Sequence, residues 1–169
     1  VGDIYATKES EKVSENYEMI RTEGQTSGKM TKEEIEVIYY YRAKKAEIIK
    51  NEIEKEGTEK ITEEGGEISY RITYRGEISE YKGRAKVKIT DKLPYEIDRE
   101  KSSLMEGVYN EVEKTITWEE DIGEIDTYTN GNKEIEITKE ITVVYKNIDY
   151  SKKEIVNKVE GEIELEATG

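Results

Sequence analysis

Apolar residues in this chain recur at every second position. Ile68, Tyr70, Ile72 and Tyr74 alternate with polar neighbours, as do Ala85, Val87, Ile89 and Leu93, then Ile135, Ile137, Ile141, Val143 and Tyr145. Thr115 to Glu119 carries Ile116 and Trp118 in the same phase, and the final stretch runs Ile155, Asn157, Val159, Gly161, Ile163 and Leu165. A period of two puts side chains on one face of a strand, whereas a helix needs a period of 3.6. The residue types agree, because the apolar mass is Ile, Val and 13 Tyr with no Phe. Hydrophobic residues make up 34% and charged residues 40%. That is lean, but sustained alternation separates the chain from disordered sequence. These features predict a mainly all-β chain in which short strands and Gly-rich or charged turns build a β-sandwich.

Composition also removes several functions. The formal net charge is −13 and no basic patch stands out, which speaks against nucleic acid and anionic membranes as partners. No Cys is present, so disulfides, thiolate metal sites and Cys nucleophiles are excluded. No His is present either, which removes the commonest general base and the Ser-His-Asp triad. No EF-hand spacing occurs among the 40 acidic residues, and no cofactor is implied. Glu119, Glu120 and Asp121 are adjacent carboxylates of the sort glycosidases use, but adjacency in so acidic a chain carries little information. Gly65-Gly66 lacks the Lys-Ser/Thr of a phosphate loop. No signal peptide or transmembrane run is visible, and Leu93-Pro94-Tyr95-Glu96-Ile97 is not a sortase signal. The chain reads as an internal segment of a longer protein.

Two units are expected. Residues 1–43 end in Glu34 to Tyr41, a strand with Ile35, Val37, Tyr39 and Tyr41 on one face and Tyr40 on the other. Ahead of it lie a strand from Tyr17 to Arg21, a polar turn from Gly24 to Gly28 and, over Thr7 to Ser14, a short helix. Residues 44–169 form the second unit. Its first strand has Ile49, Ile53 and Lys55 in phase, Asn130-Gly131 marks a tight turn, and Tyr95 to Met105 suits a helical turn. No long linker separates the units, so they are expected to touch.

The first unit resembles the C-terminal part of mucin-binding-protein repeats of Gram-positive surface proteins. The resemblance rests on Val1-Gly2-Asp3-Ile4-Tyr5, Asn16-Tyr17-Glu18-Met19-Ile20, Thr26-Ser27-Gly28-Lys29-Met30-Thr31 and Val37-Ile38-Tyr39-Tyr40-Tyr41. It implies a partial β-grasp-like module without its usual opening strand, whose open edge would accept a strand from a second copy. The second unit resembles Ig-like repeat domains of bacterial adhesins and pilins, many of which form internal isopeptide bonds. Here the matching residues are Ile68 to Tyr74, Val87-Lys88-Ile89-Thr90-Asp91-Lys92-Leu93-Pro94, Gly107-Val108-Tyr109-Asn110, Thr115-Ile116-Thr117-Trp118 and Val156-Asn157-Lys158-Val159. Together the resemblances imply a non-enzymatic stalk or spacer on the bacterial cell surface or cell wall. Its partners would be neighbouring domains of the same protein. The alternative is a module that binds host mucin, glycan or protein.

Three polar residues fall on positions that alternation assigns to the interior. Lys55 follows Ile53, Asp91 lies between Ile89 and Leu93, and Asn157 between Ile155 and Val159. Buried charges are costly unless paired or neutralised. One explanation is a self-formed Lys55–Asn157 isopeptide bond assisted by Asp91, and the resemblance implies the same roles. A neutral Lys55 amine would be the nucleophile. A protonated Asp91 would hydrogen-bond the Asn157 carbonyl and shuttle protons to departing ammonia. The other explanation leaves Lys55 pointing outward, with Asp91 and Asn157 bonding loop backbone. Lys50 and Lys60 are rival amines, out of phase with Ile49, Ile53 and Ile61.

Overall fold

The computed structural model describes residues 2–11, 13, 15–57, 67–151 and 157–167. Lys60, Ile61, Gly65-Gly66, Ile155 and Val156 lie outside the described residues, as do Val1 and Ser14. Among the described residues, eleven strands and one helical turn follow in chain order: β1 (Ile4–Ala6), β2 (Tyr17–Glu23), β3 (Ser27–Lys29), β4 (Ile38–Ala43), β5 (Glu47–Gly57), β6 (Glu67–Ser79), β7 (Lys82–Lys92), β8 (Val108–Asn110), β9 (Thr115–Asp126), α1 (Thr127–Asn130), β10 (Lys133–Val144) and β11 (Lys158–Ala167). All pairings between them are antiparallel. The chain is all-β and its larger part is a sandwich. One sheet has the order β10-β6-β5 and the other β11-β7-β9-β8.

The alternation seen in the sequence becomes the inner faces of these sheets. Ile72, Tyr74 and Ile78 of β6 face Val87 and Ile89 of β7, with Ile116, Ile141 and Val143, all at most 1% exposed. Burying side chains this size contributes about 1.5–3 kcal/mol each. Trp118 lies in the same core, its indole Nε1 donating to the Leu104 carbonyl at 2.9 Å. Tyr95 to Met105 holds a hydrogen-bonded turn at 99–101 and no helix. It runs along β10 through bridges at Ile97–Tyr145 and Ser103–Thr142, burying Tyr95, Ile97 and Leu104. That covering satisfies a sheet edge that would otherwise be open.

Other local expectations shift. Ile49 sits at a bulge between Ile48 and Lys50 and is 49% exposed, so only Ile53 and Lys55 keep the inward phase. Asn130-Gly131 does not make a two-residue hairpin turn. Asp126 caps Tyr128 and Thr129, α1 forms, and Gly131 ends it at φ 82°. The reason is topological, since β9 and β10 belong to different sheets and cannot be joined as a hairpin.

The N-terminal residues form two small ribbons, β1-β3 and β2-β4. Strand β4 begins at Ile38 rather than Glu34, and Ile35 lies ahead of it, 37% exposed. Described residues between Thr7 and Ser14 are not helical; Thr7 N–H donates to Thr26 O and Val13 N–H to Ser10 O. Tyr40 carries Arg21 over its ring at 4.1 Å and donates to Glu23. The ribbons touch the sandwich where β6 turns into β7. Asn16 exchanges two hydrogen bonds with the Lys82 backbone, at 3.1 and 3.2 Å.

The two sheets meet closely along β5 and β11. Asn51 Nδ2 donates to the Gly161 carbonyl at 3.1 Å, and the Tyr74 hydroxyl donates to Asn51 Oδ1 at 2.5 Å. A Cβ at Gly161 would stand 2.5 Å from the Tyr74 ring. Gly161→Ala is therefore expected to cost about 1–3 kcal/mol of stability, as overpacking does. Urea unfolding followed by tryptophan fluorescence reads this loss.

Candidate functional site

Alternation places one cationic and one anionic side chain into the same dry space from opposite sheets. Lys55 lies on β5, opposite Ile72 of β6, and Asp91 lies on β7, opposite Ile116 of β9. Lys55 Nζ is 2.6 Å from Asp91 Oδ2, with the two side chains 8% and 0% exposed. Lys50, by contrast, is 41% exposed and sits 3.7 Å from Glu52.

Tyr70 forms the wall of this space. Lys55 Nζ stands 4.0 Å from its ring centroid, a cation–π position. Gly57 is the residue opposite Tyr70 on β5, and any Cβ there would strike the ring. The absence of a side chain at 57 is what lets the ring lie across the amine. The Tyr70 hydroxyl meets the Tyr145 hydroxyl at 3.2 Å. Tyr145, just past β10, also packs edge-on against Tyr95 with ring centroids 6.0 Å apart.

Asn157 immediately precedes β11. Val159 pairs with Asp91, so a period of two puts Asn157 on the Asp91 face, one step along the strand. Its Nδ2 and Oδ1 are both buried and close no hydrogen bond, and Asp91 Oδ1 is in the same condition. The carboxamide lies at the Tyr70 hydroxyl and pulls its phenol down as a hydrogen-bonding neighbour, without closing a bond of standard length and angle.

Burial sets the electrostatics. Desolvation pushes the Lys55 amine below its ordinary range, opposed by attraction and hydrogen bonding to Asp91. Desolvation likewise pushes the Asp91 carboxyl up, opposed by Lys55. Burial raises the Tyr70 phenol, with the Tyr145 hydroxyl and Asn157 carboxamide pulling it back, and burial raises Tyr145 strongly. Both members of the ion pair are thus driven toward their neutral forms. An amine able to lose its proton, an acid able to take it and an amide free of other bonds are the components of transamidation.

The sequence reading overlooked two features. Tyr70 and Tyr145 appeared only as core aromatics, although Gly57 in register with Tyr70 was a signal of close approach. The second is the Lys139–Glu120 ion pair, which bridges the sheets on the far side of the sandwich from Lys55. Lys139 is in phase with Ile137 and Ile141, and Glu120 with Trp118 and Ile122, so the pattern that exposed Lys55 was available there too. Glu119 and Asp121 point outward, and Asp121 pairs with Arg84 at 2.9 Å. The three carboxylates therefore do not converge. No group of acidic residues able to hold a metal occurs among the described residues.

The fold and this cluster define a class: a β-sandwich with an amine on β5, a carboxyl on β7 and a buried carboxamide just ahead of β11. No family model, curated protein or solved structure matches the chain.

Lys55→Met should expose the cost of the buried carboxyl. Removing one partner of a buried pair typically costs about 3–5 kcal/mol. Asp91 would keep a raised folded-state pKa without its counter-charge. A raised acid binds more protons folded than unfolded, so stability is greatest below the unfolded value and falls as pH rises through the folded one. Thermal melts of Lys55→Met from pH 4 to 8 are expected to show a falling midpoint. Lys55→Met/Asp91→Asn should flatten that trend.

Proposed function

We propose that this chain is a structural, force-bearing segment of a bacterial cell-surface adhesin, clasped by a self-formed Lys55–Asn157 isopeptide bond. The observation that carries this reading is the buried Lys55–Asp91 pair with the Asn157 carboxamide unbonded beside it. Resemblance of the strand motifs to Ig-like adhesin repeats supports the extracellular, cell-wall setting.

Asp91 takes a proton from the Lys55 ammonium, leaving a neutral amine. The amine attacks Asn157 Cγ, forming the Nζ–Cγ bond. Asp91 returns the proton to the amide nitrogen, takes the second proton from Nζ as the Cγ–Nδ2 bond breaks, and passes it to the departing ammonia, which leaves as ammonium. One lysine ammonium and one primary amide thus become one secondary amide and one ammonium ion, with the Asp91 carboxylate regenerated. Holding the groups together can contribute about 7–11 kcal/mol toward the barrier. The event happens once per chain, so this is maturation and not enzymatic turnover.

The strand register gives the bond a mechanical meaning. Glu47 pairs with Ser79 and Ala167 with Gly83, so the chain enters β5 and leaves β11 at the same end of the sandwich. Lys55 and Asn157 lie at the opposite end of those strands. Tension would peel β5 and β11 from their sheets a few hydrogen bonds at a time, a weak geometry without a covalent stop. A bond at 55 and 157 halts the peel and shields everything between. By analogy with a disulfide closing about 100 residues, it would also stabilise the fold by roughly 4–5 kcal/mol.

Intact-mass spectrometry tests the bond. The wild-type chain is expected to weigh less than its sequence by one ammonia. Lys55→Ala, Asn157→Ala and Asp91→Ala should each show the full mass and a lower melting temperature. A wild-type chain at full mass would remove the clasp.

A second reading, binding of host mucin or glycan, draws on the recess in the N-terminal ribbons lined by Tyr5, Met30, Ile35, Val37 and Tyr39. It predicts retention of the chain on immobilised mucin, with Tyr39→Ala abolishing it.

A further inference from the structure

The proposed reaction leaves one task without a holder. After proton transfer Asp91 carries a single proton, and two atoms need it: the carbonyl oxygen, where negative charge develops, and the nitrogen that departs. Asp91 Oδ2 is already engaged by Lys55 at 2.6 Å. A second donor near the carbonyl would let Asp91 serve the nitrogen alone.

The polar atoms of the pocket identify that donor. Three buried atoms have no hydrogen-bond partner here: Asp91 Oδ1, Asn157 Oδ1 and Asn157 Nδ2. Beside them, Tyr70 and Tyr145 share a bond between hydroxyls at 3.2 Å. Two hydroxyls hold two protons, and their mutual bond uses only one. If Tyr145 donates to Tyr70, the Tyr70 proton is available for a third atom. Asn157 Oδ1 is the unpartnered carbonyl oxygen in the same pocket, and Asn157 Nδ2 can donate to Asp91 Oδ1. Turning the carboxamide so that Oδ1 meets the Tyr70 hydroxyl and Nδ2 meets Asp91 Oδ1 would pair all three atoms left open. Buried polar groups in folded proteins are almost always paired in this way.

We infer that the Tyr70 hydroxyl, supported by Tyr145, is the donor that holds the Asn157 carbonyl oxygen and stabilises its negative charge during closure of the Lys55–Asn157 bond. This inference rests on the isopeptide reading above. Tyr70 serves the reaction twice, because its ring covers the Lys55 amine while its hydroxyl addresses the carbonyl that amine attacks. Gly57 makes both possible by giving the ring its place. Tyr145 is a positioning residue, since it orients the Tyr70 hydroxyl and touches neither reacting group.

The test follows bond closure in time. The full chain is made in a pulsed cell-free synthesis, samples are quenched in acid, and intact mass gives the fraction that has lost ammonia. Tyr70→Phe keeps the ring over the amine and removes only the hydroxyl. Deleting one donor of this kind slows acyl chemistry by about 100-fold or more, so Tyr70→Phe is expected to close about 100-fold more slowly than wild type. Tyr145→Phe should slow closure less. A structural effect is separated by adding Tyr70→Phe to the Lys55→Ala background, where no bond forms. There it should lower the melting temperature only as far as Tyr145→Phe does in the same background, since either change breaks the one bond between the two hydroxyls. Closure of Tyr70→Phe at the wild-type rate overturns the inference and leaves the bond itself standing. A melting temperature well below that of Tyr145→Phe in the Lys55→Ala background also overturns it, because the hydroxyl would then be serving the fold in a further way. A wild-type chain that never loses ammonia overturns both the inference and the isopeptide reading.

Discussion

A lysine and an aspartate meet inside this sandwich, their side chains 8% and 0% exposed, and the surrounding arrangement depends on that fact. Two charges taken from water into such a place lose several kcal/mol of hydration each, and mutual attraction recovers this only with good geometry. Packing aliphatic side chains at 55 and 91 would have been the simpler way to fill the core. What the pair provides is a proton that can move between an amine and a carboxyl whose charged forms are both disfavoured. The wall of tyrosines keeps water out without closing off hydrogen bonding, because each ring presents an apolar face and a polar tip.

Strand periodicity made most of the fold readable. Alternation over Ile68 to Tyr74, Ala85 to Leu93 and Ile135 to Tyr145 foretold the inner faces, since a strand in a two-layer sandwich has one dry side. It failed where the backbone departs from regular pleating. The bulge beside Ile49 turned that residue outward, and the segment after Pro94 buries Tyr95, Ile97 and Leu104 by running along a sheet edge with no period at all. Asn130-Gly131 misled because a local turn signal does not say whether its flanking strands share a sheet. In the N-terminal ribbons the pattern from Ile35 to Tyr41 was longer than the strand it described.

The candidate site was legible for the same reason as the core, and only to the same depth. Lys55, Asp91 and Asn157 stand out because each puts a polar group in an apolar phase. Tyr70 and Tyr145 are invisible to that logic, as tyrosine is at home on an inward position. Their roles emerge only when two hydroxyls and a carboxamide are seen in one pocket. Lys139 and Glu120 obey the same rule as Lys55 and Asp91, yet Glu120 is hidden in a run of three carboxylates. That pair ties the sheets together on the side away from β5 and β11, so each flank of the sandwich has its own polar link, one of which has an amide beside it.

Mechanical pulling on single molecules tests the central claim most directly. With the chain held outside both β5 and β11, a covalent Lys55–Asn157 link predicts that the ends of these strands peel away while the chain from 55 to 157 never lengthens, at any force short of bond rupture. An unfolding step whose added length includes that internal segment would contradict the account.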